Sequence, residues 1–230
     1  MTTMLEAAAG RAERLAGHGA TARPGQRRSA ADSHAPAFVQ VRARITLEER
    51  AATATAPEML QFEGYASVTG FGYEMYDFDG PYTEFVDPGA FGATLARDGL
   101  DVPLVLGHDP MRRIARTTNG TLRLSEDSTG LPVLAELDPN DPDVAYIAPK
   151  LRSGLIDEMS FRFRIDRGQW SPDWSEYHIS QVDIHRGDVA IVGYGANPAT
   201  TGSGLREQET PQIVRSRRVI PADLATPRFL

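Results

Sequence analysis

Cysteine is absent from the 230 residues. Its absence excludes disulfides, thiol catalysis and cysteine-ligated zinc, and suits a reducing compartment. Long apolar runs are missing too: no stretch approaches the ~20 residues that a membrane-spanning helix needs. Histidine is scarce, and the five present never fall at the i, i+4 spacing of a zinc-binding helix. The chain shows neither an internal repeat nor a glycine-rich phosphate loop, and no apolar run after the start marks a secretory signal. The expectations are therefore no membrane span and neither cysteine-ligated nor helix-borne zinc.

What remains is ordinary globular material, 41% hydrophobic and 24% charged. The net charge of −7 is unevenly spread: residues 1–55 balance at +3, residues 56–200 at −12 and residues 201–230 at +2. A general nucleic-acid binder wants its basic charge on the folded part. This chain has the reverse, so no specific nucleic acid is expected.

Punctuation by Gly, Pro and Ser marks both ends. Residues 1–37 read as a poorly packed, flexible N-terminal arm in which Met4 to Leu15 can form a short Ala-rich helix. Residues 201–230 read as a flexible tail: Pro211, Pro221 and Pro227 interrupt it, and its apolar residues are too sparse for a core. Between them, residues 38–200 form the folded unit. Apolar alternation places strands at Phe38–Ile45, Phe62–Val68, Leu100–Gly107, Thr121–Leu124, Leu131–Leu137, Met159–Ile165, Tyr177–Val182 and Val189–Val192. Asp87-Pro88 and Asp141-Pro142 each supply an N-cap followed by proline at the first helical position. They predict helices over Gly89 to Arg97 and Val144 to Leu151, the second kinked or shortened by Pro149. Many short strands with few short helices make an α+β fold, β-rich, as a barrel or sandwich.

Three segments carry residues suited to chemistry. In Glu158 to Ile165, strand alternation turns Met159, Phe161, Phe163 and Ile165 toward the core and Glu158, Ser160, Arg162 and Arg164 the other way. A serine fixed between apolar neighbours, beside two guanidinium groups, suits a nucleophile whose oxyanion needs positive charge. A half-exposed strand with a polar outer face has the same pattern. In Leu104 to Pro110 an apolar run delivers His108 at its end, where it can serve as a general base or as a plain turn residue. In the third segment Asp188 opens the apolar run Val189–Val192 and can orient a histidine from behind; His178 and His185 compete for that place. The acids Glu74, Asp77, Asp79, Glu84 and Asp87 form a further cluster. In a Gly-, Pro- and Tyr-rich stretch they read as solvated turns rather than as a two-carboxylate hydrolase.

Taken in order, Phe62-Glu63-Gly64-Tyr65-Ala66-Ser67-Val68, Asp87-Pro88-Gly89-Ala90-Phe91, Leu106-Gly107-His108-Asp109, Gly130-Leu131, Gly154 to Phe161 and Ala196-Asn197-Pro198-Ala199 resemble the prohead proteases of tailed phages. These capsid-maturation serine proteases are distantly related to herpesvirus assemblin. The resemblance covers about residues 38–200 and implies an assemblin-like barrel. It implies a catalytic histidine at His108 and a catalytic serine at Ser160. Counting back from Asn197 puts the third member on Asp188; assemblin's second histidine keeps His185 as the alternative. Arg162 and Arg164 are the expected oxyanion support. The chain departs from the family at Arg162, where glycine is common, and at Gly195, where proline is. The implied substrate is the scaffolding segment of the major capsid protein inside the prohead, in the cytoplasm of a bacterium infected by a phage or carrying a prophage, together with the enzyme's own ends; self-association is a further expectation, and no metal or organic cofactor is implied. A non-catalytic scaffold or capsid-assembly protein with a protease-like fold is the alternative.

Overall fold

A computed structural model describes residues 2–25, 27–29, 46–50 and 59–195. Eleven strands and three α-helices lie among them: α1 Met4–Leu15, β1 Arg28–Ser29, β2 Thr46–Arg50, β3 Met59–Val68, β4 Tyr73–Tyr76, β5 Pro81–Val86, α2 Gly92–Leu95, β6 Pro103–Leu106, β7 Arg113–Arg116, β8 Leu122–Leu124, β9 Gly130–Leu137, α3 Pro142–Arg152, β10 Glu158–Trp170 and β11 Glu176–Val192. The fold is α+β and β-rich, with two sheets whose hydrogen-bonded paths stay open among the described residues.

The smaller sheet runs β2-β3-β9-β8, antiparallel throughout. In the larger sheet, β11 is the hub. One edge of β11 takes β5 in parallel near its start and β6 in parallel near its end. The opposite edge takes β10, antiparallel, along nearly its whole length. Strands β3, β5 and β9 bury roughly every second side chain, as a strand with one face on the core must. Phe62 and Leu131 from the smaller sheet and Leu104, Met159 and Ile191 from the larger one meet in a single apolar cluster, which α3 joins through Val144, Ile147 and Leu151.

Two expected strands, Tyr177–Val182 and Val189–Val192, are one strand with an irregularity between them. The pairing passes from Arg164 opposite Asp183 to Arg162 opposite Asp188, so β11 bulges over Ile184–Gly187. The two Asp-Pro signals diverge. Asp141 caps α3, its carboxylate accepting the N–H of Asp143 and Val144. Asp87 instead faces His178 Nδ1 at 3.1 Å, and only the short α2 forms after it. Pro149 does not shorten α3, which runs on to Arg152 with proline in its last turn.

Part of the segment expected to be a loose arm is docked. In α1, Thr3 and Glu6 form a capping box, and Arg11 is fully buried. Its guanidinium holds both oxygens of buried Asp77 at 2.9 Å, donates to the Trp174 carbonyl and lies 4.4 Å from the Trp170 ring. Trp170 donates its backbone and indole N–H to the carbonyls of Ala20 and Ala22. Arg27 pairs with fully buried Glu84, which also accepts the hydroxyls of Tyr73 and Tyr82. Burial pushes both phenols well above their ordinary pKa, so they stay protonated donors. Asp77 and Glu84 are therefore not the solvated turn residues that their loop-like composition suggests. The expected strand Phe38–Ile45, the Asn197-Pro198 motif and the tail 201–230 lie outside the described residues.

Candidate active site

Helix α3 delivers the serine strand. Its C-terminus closes with Gly154 in the left-handed region (φ 68°), where the N–H of Gly154 bonds the Leu151 carbonyl and that of Leu155 bonds the Lys150 carbonyl. This paired pattern is the Schellman stop. The chain then enters β10, and Met159, with no exposure, locks its start into the core. Phe161 stacks with Phe163 and packs on Phe91. Ser160, between Met159 and Phe161, is half-buried on the opposite face.

Ser160 stands opposite Ala190 on β11, and Ala190 stands beside Val105 on β6. Residues opposite each other share a face, so Ser160, Arg162, Asp188, Ala190 and Val105 lie on one surface of the sheet. His108 reaches the same surface from the end of β6. Gly107 and His108 both adopt φ 59°, which turns the chain back on itself. For a non-glycine residue that conformation costs on the order of 1–3 kcal/mol and needs contacts to hold it. The bond to Asp188 is one such contact: His108 Nδ1 donates to Asp188 Oδ1 at 2.5 Å, with the imidazole side chain 26% exposed and the carboxylate 6%.

Asp188 owes its place to the bulge. Arg186 is left-handed (φ 59°), and a Cβ on Gly187 would sit 1.9 Å from the Arg162 carbonyl oxygen. Only glycine lets β11 pass β10 this closely. Arg162 extends over the pair, its Nη1 3.6 Å from Asp188 Oδ2 and its Nη2 donating to the His108 carbonyl at 3.4 Å. Arg164, expected beside it, is carried away by the register shift and binds Asp183 Oδ2 and the His185 carbonyl. His185 is engaged elsewhere too: its Nδ1 accepts the backbone N–H of Asp101. His178 stacks flat on Phe85 at 4.7 Å and faces Asp87 and Glu176.

The face thus brings together His108, Asp188, Ser160 and Arg162 and leaves out Arg164, His178 and His185. A model of the caudovirus prohead serine proteases matches residues 45–212. The chain belongs to that family. No curated protein and no solved structure matches it. Membership makes it a serine protease at the family level, of the kind that matures phage capsids. Among the described residues, no group of acids and histidines could hold a metal ion, and no helix is long and apolar enough to cross a membrane.

Arg186 and Gly187 are the site residues that the sequence reading passed over. An Arg-Gly pair interrupting an apolar strand is a bulge signal, and it stands directly before the acid that it positions.

Proposed function

We propose that the chain is a serine endopeptidase that removes the scaffolding segment of the major capsid protein inside the prohead, in the bacterial host, and also trims its own ends. The protease unit of this reading spans about residues 38–200, with the two sheets as its assemblin-like barrel. The observation that carries it is the 2.5 Å bond between His108 Nδ1 and Asp188 Oδ1, on the sheet face that also bears Ser160.

Asp188 holds the proton on Nδ1, which leaves Nε2 as the base. Ser160 Oγ attacks the scissile carbonyl while His108 Nε2 takes its proton. A tetrahedral oxyanion forms, and in this reading Arg162, a guanidinium beside the His108–Asp188 pair, stabilises it. The intermediate collapses to an acyl-serine as His108 returns the proton to the leaving amine. Water, activated by the same imidazole, then releases the acid product and restores Ser160.

A fluorophosphonate probe tests the assignment, because it phosphonylates only an activated serine. Labelling at Ser160 that disappears in Ser160→Ala supports it. Absence of labelling in the intact protein favours a non-catalytic capsid-assembly role.

A further inference from the structure

We propose that Met111, Leu155 and Tyr194 determine specificity by receiving large apolar side chains of the peptide beside the scissile bond. The inference rests on the serine-endopeptidase reading and supplies its substrate chemistry.

Apolar side chains exposed singly need no explanation, but several gathered on one surface mark a binding site. Here Met111 is 86% exposed, Tyr194 85% and Leu155 77%. The topology gathers them at one end of the larger sheet. Strands β6 and β11 are parallel and β10 runs against β11. The turn after β6, the turn after β11 and the turn before β10 therefore lie side by side. Each turn belongs to a segment that supplies a proposed catalytic residue. Met111 follows His108 in the turn that the Arg112 carbonyl closes back onto the Leu106 N–H. Leu155 lies just before the Ser160 strand, and Tyr194 just after the Asp188 strand. Gly195 donates its N–H to Glu158 Oε2, which ties the last two turns together.

Leu155 adds a second argument. The residue after a Schellman glycine commonly packs back on the helix it ends. Leu155 occupies that position, makes the backbone bond to Lys150 and still leaves its side chain in solvent. It is not part of the apolar core. Ser160 is the third residue of β10, so a peptide whose carbonyl reaches it can lie across this end of the sheet, where neighbouring strands are ~4.8 Å apart. Alternate side chains of an extended peptide would then meet the row. The chain's own sequence after Gly195 carries such side chains at Ile213, Val214, Val219 and Ile220.

The test is peptide binding to the full-length Ser160→Ala protein, read by fluorescence anisotropy. One probe is a synthetic peptide of residues 206–230; the other is the same peptide with Ile213, Val214, Val219 and Ile220 replaced by serine. The apolar peptide should bind about tenfold tighter or better. Combining Met111→Ser, Leu155→Ser and Tyr194→Ser should bring the ratio to within about twofold. In the protein with Ser160 intact, the same triple change should raise KM for the apolar peptide, with kcat and fluorophosphonate labelling little altered. Equal binding of both probes to the parent protein, or a ratio that survives the triple change, overturns the proposal. Failure of the endopeptidase reading shows up separately, as an intact protein that does not label at Ser160 while the peptide ratio stands.

Discussion

Ser160 and Asp188 are diagonal partners across the β10–β11 ladder: Ser160 faces Ala190, and Asp188 lies two residues back along the same face. Diagonal neighbours are about 7–8 Å apart, a gap that an imidazole bonded to one of them spans toward the other. No hydrogen bond joins Ser160 to His108 among the described residues. Catalytic contacts often tighten only when substrate binds.

The roles around His108 separate by mutation. His108→Ala should cut peptidase activity by ~10³-fold or more. Asp188→Asn should cost ~10²-fold or more by losing the hold on the Nδ1 proton, and His185→Ala should leave activity within about twofold. Ser160→Ala with His108→Ala should be barely worse than either single change, because the groups act as a unit. Steady-state kinetics on one peptide substrate reads all four. A large loss in His185→Ala beside an active Asp188→Asn would put the second histidine in the acid's place.

Gly187→Ala probes the bulge. The added methyl would sit 1.9 Å from the Arg162 carbonyl oxygen, so β11 must move away from β10 and take Asp188 with it. Fluorophosphonate labelling should fall at least about tenfold while the protein still folds, as circular dichroism would show. Unchanged labelling would mean that the close approach does not set the acid's position.

The docked helix predicts a stability effect remote from the site. Breaking a buried ion pair strands a charge and costs ~3–5 kcal/mol. Arg11→Ala and Asp77→Ala should each lower the unfolding free energy by that order, read as a clearly lower denaturant midpoint. Replacing both by apolar residues of similar volume should recover much of it. A midpoint that hardly moves in either single variant would show α1 to be loosely held.

His178 predicts a pH dependence. Burial lowers its pKa, but its bonds to Asp87 and Glu176 and their charges outweigh that and raise it above the ordinary 6.5. A raised folded value means that the proton stabilises the fold. The contribution is complete below the unfolded pKa and disappears as pH rises through the folded one. Thermal midpoints across that range should fall with rising pH, and His178→Gln should flatten the fall. An equal slope in the variant would assign the dependence to other groups.

Much of this was legible in the sequence, for physical reasons that also mark the limit. The Met159–Ile165 alternation sets which face Ser160 takes, because period-two patterning is local. The α3 cap at Asp141 and the α1 helix are local as well. Strands β4 and β5 escaped because buried Asp77 and Glu84 look like loop acids until Arg11 and Arg27, 66 and 57 residues away, arrive to pair with them. The approach of His108 to Asp188 joins residues 80 apart and depends on two successive left-handed residues, the second of them not glycine. No periodicity encodes that. The ordered motifs of the phage proteases pointed to the three residues; the bond between two of them is visible only in the folded chain.

Coexpression with the major capsid precursor of the same phage genome tests the central claim most directly, with the product read by mass spectrometry. The account predicts a shortened capsid protein with the intact chain and an uncut precursor with Ser160→Ala at equal expression. Full cleavage by Ser160→Ala would contradict it.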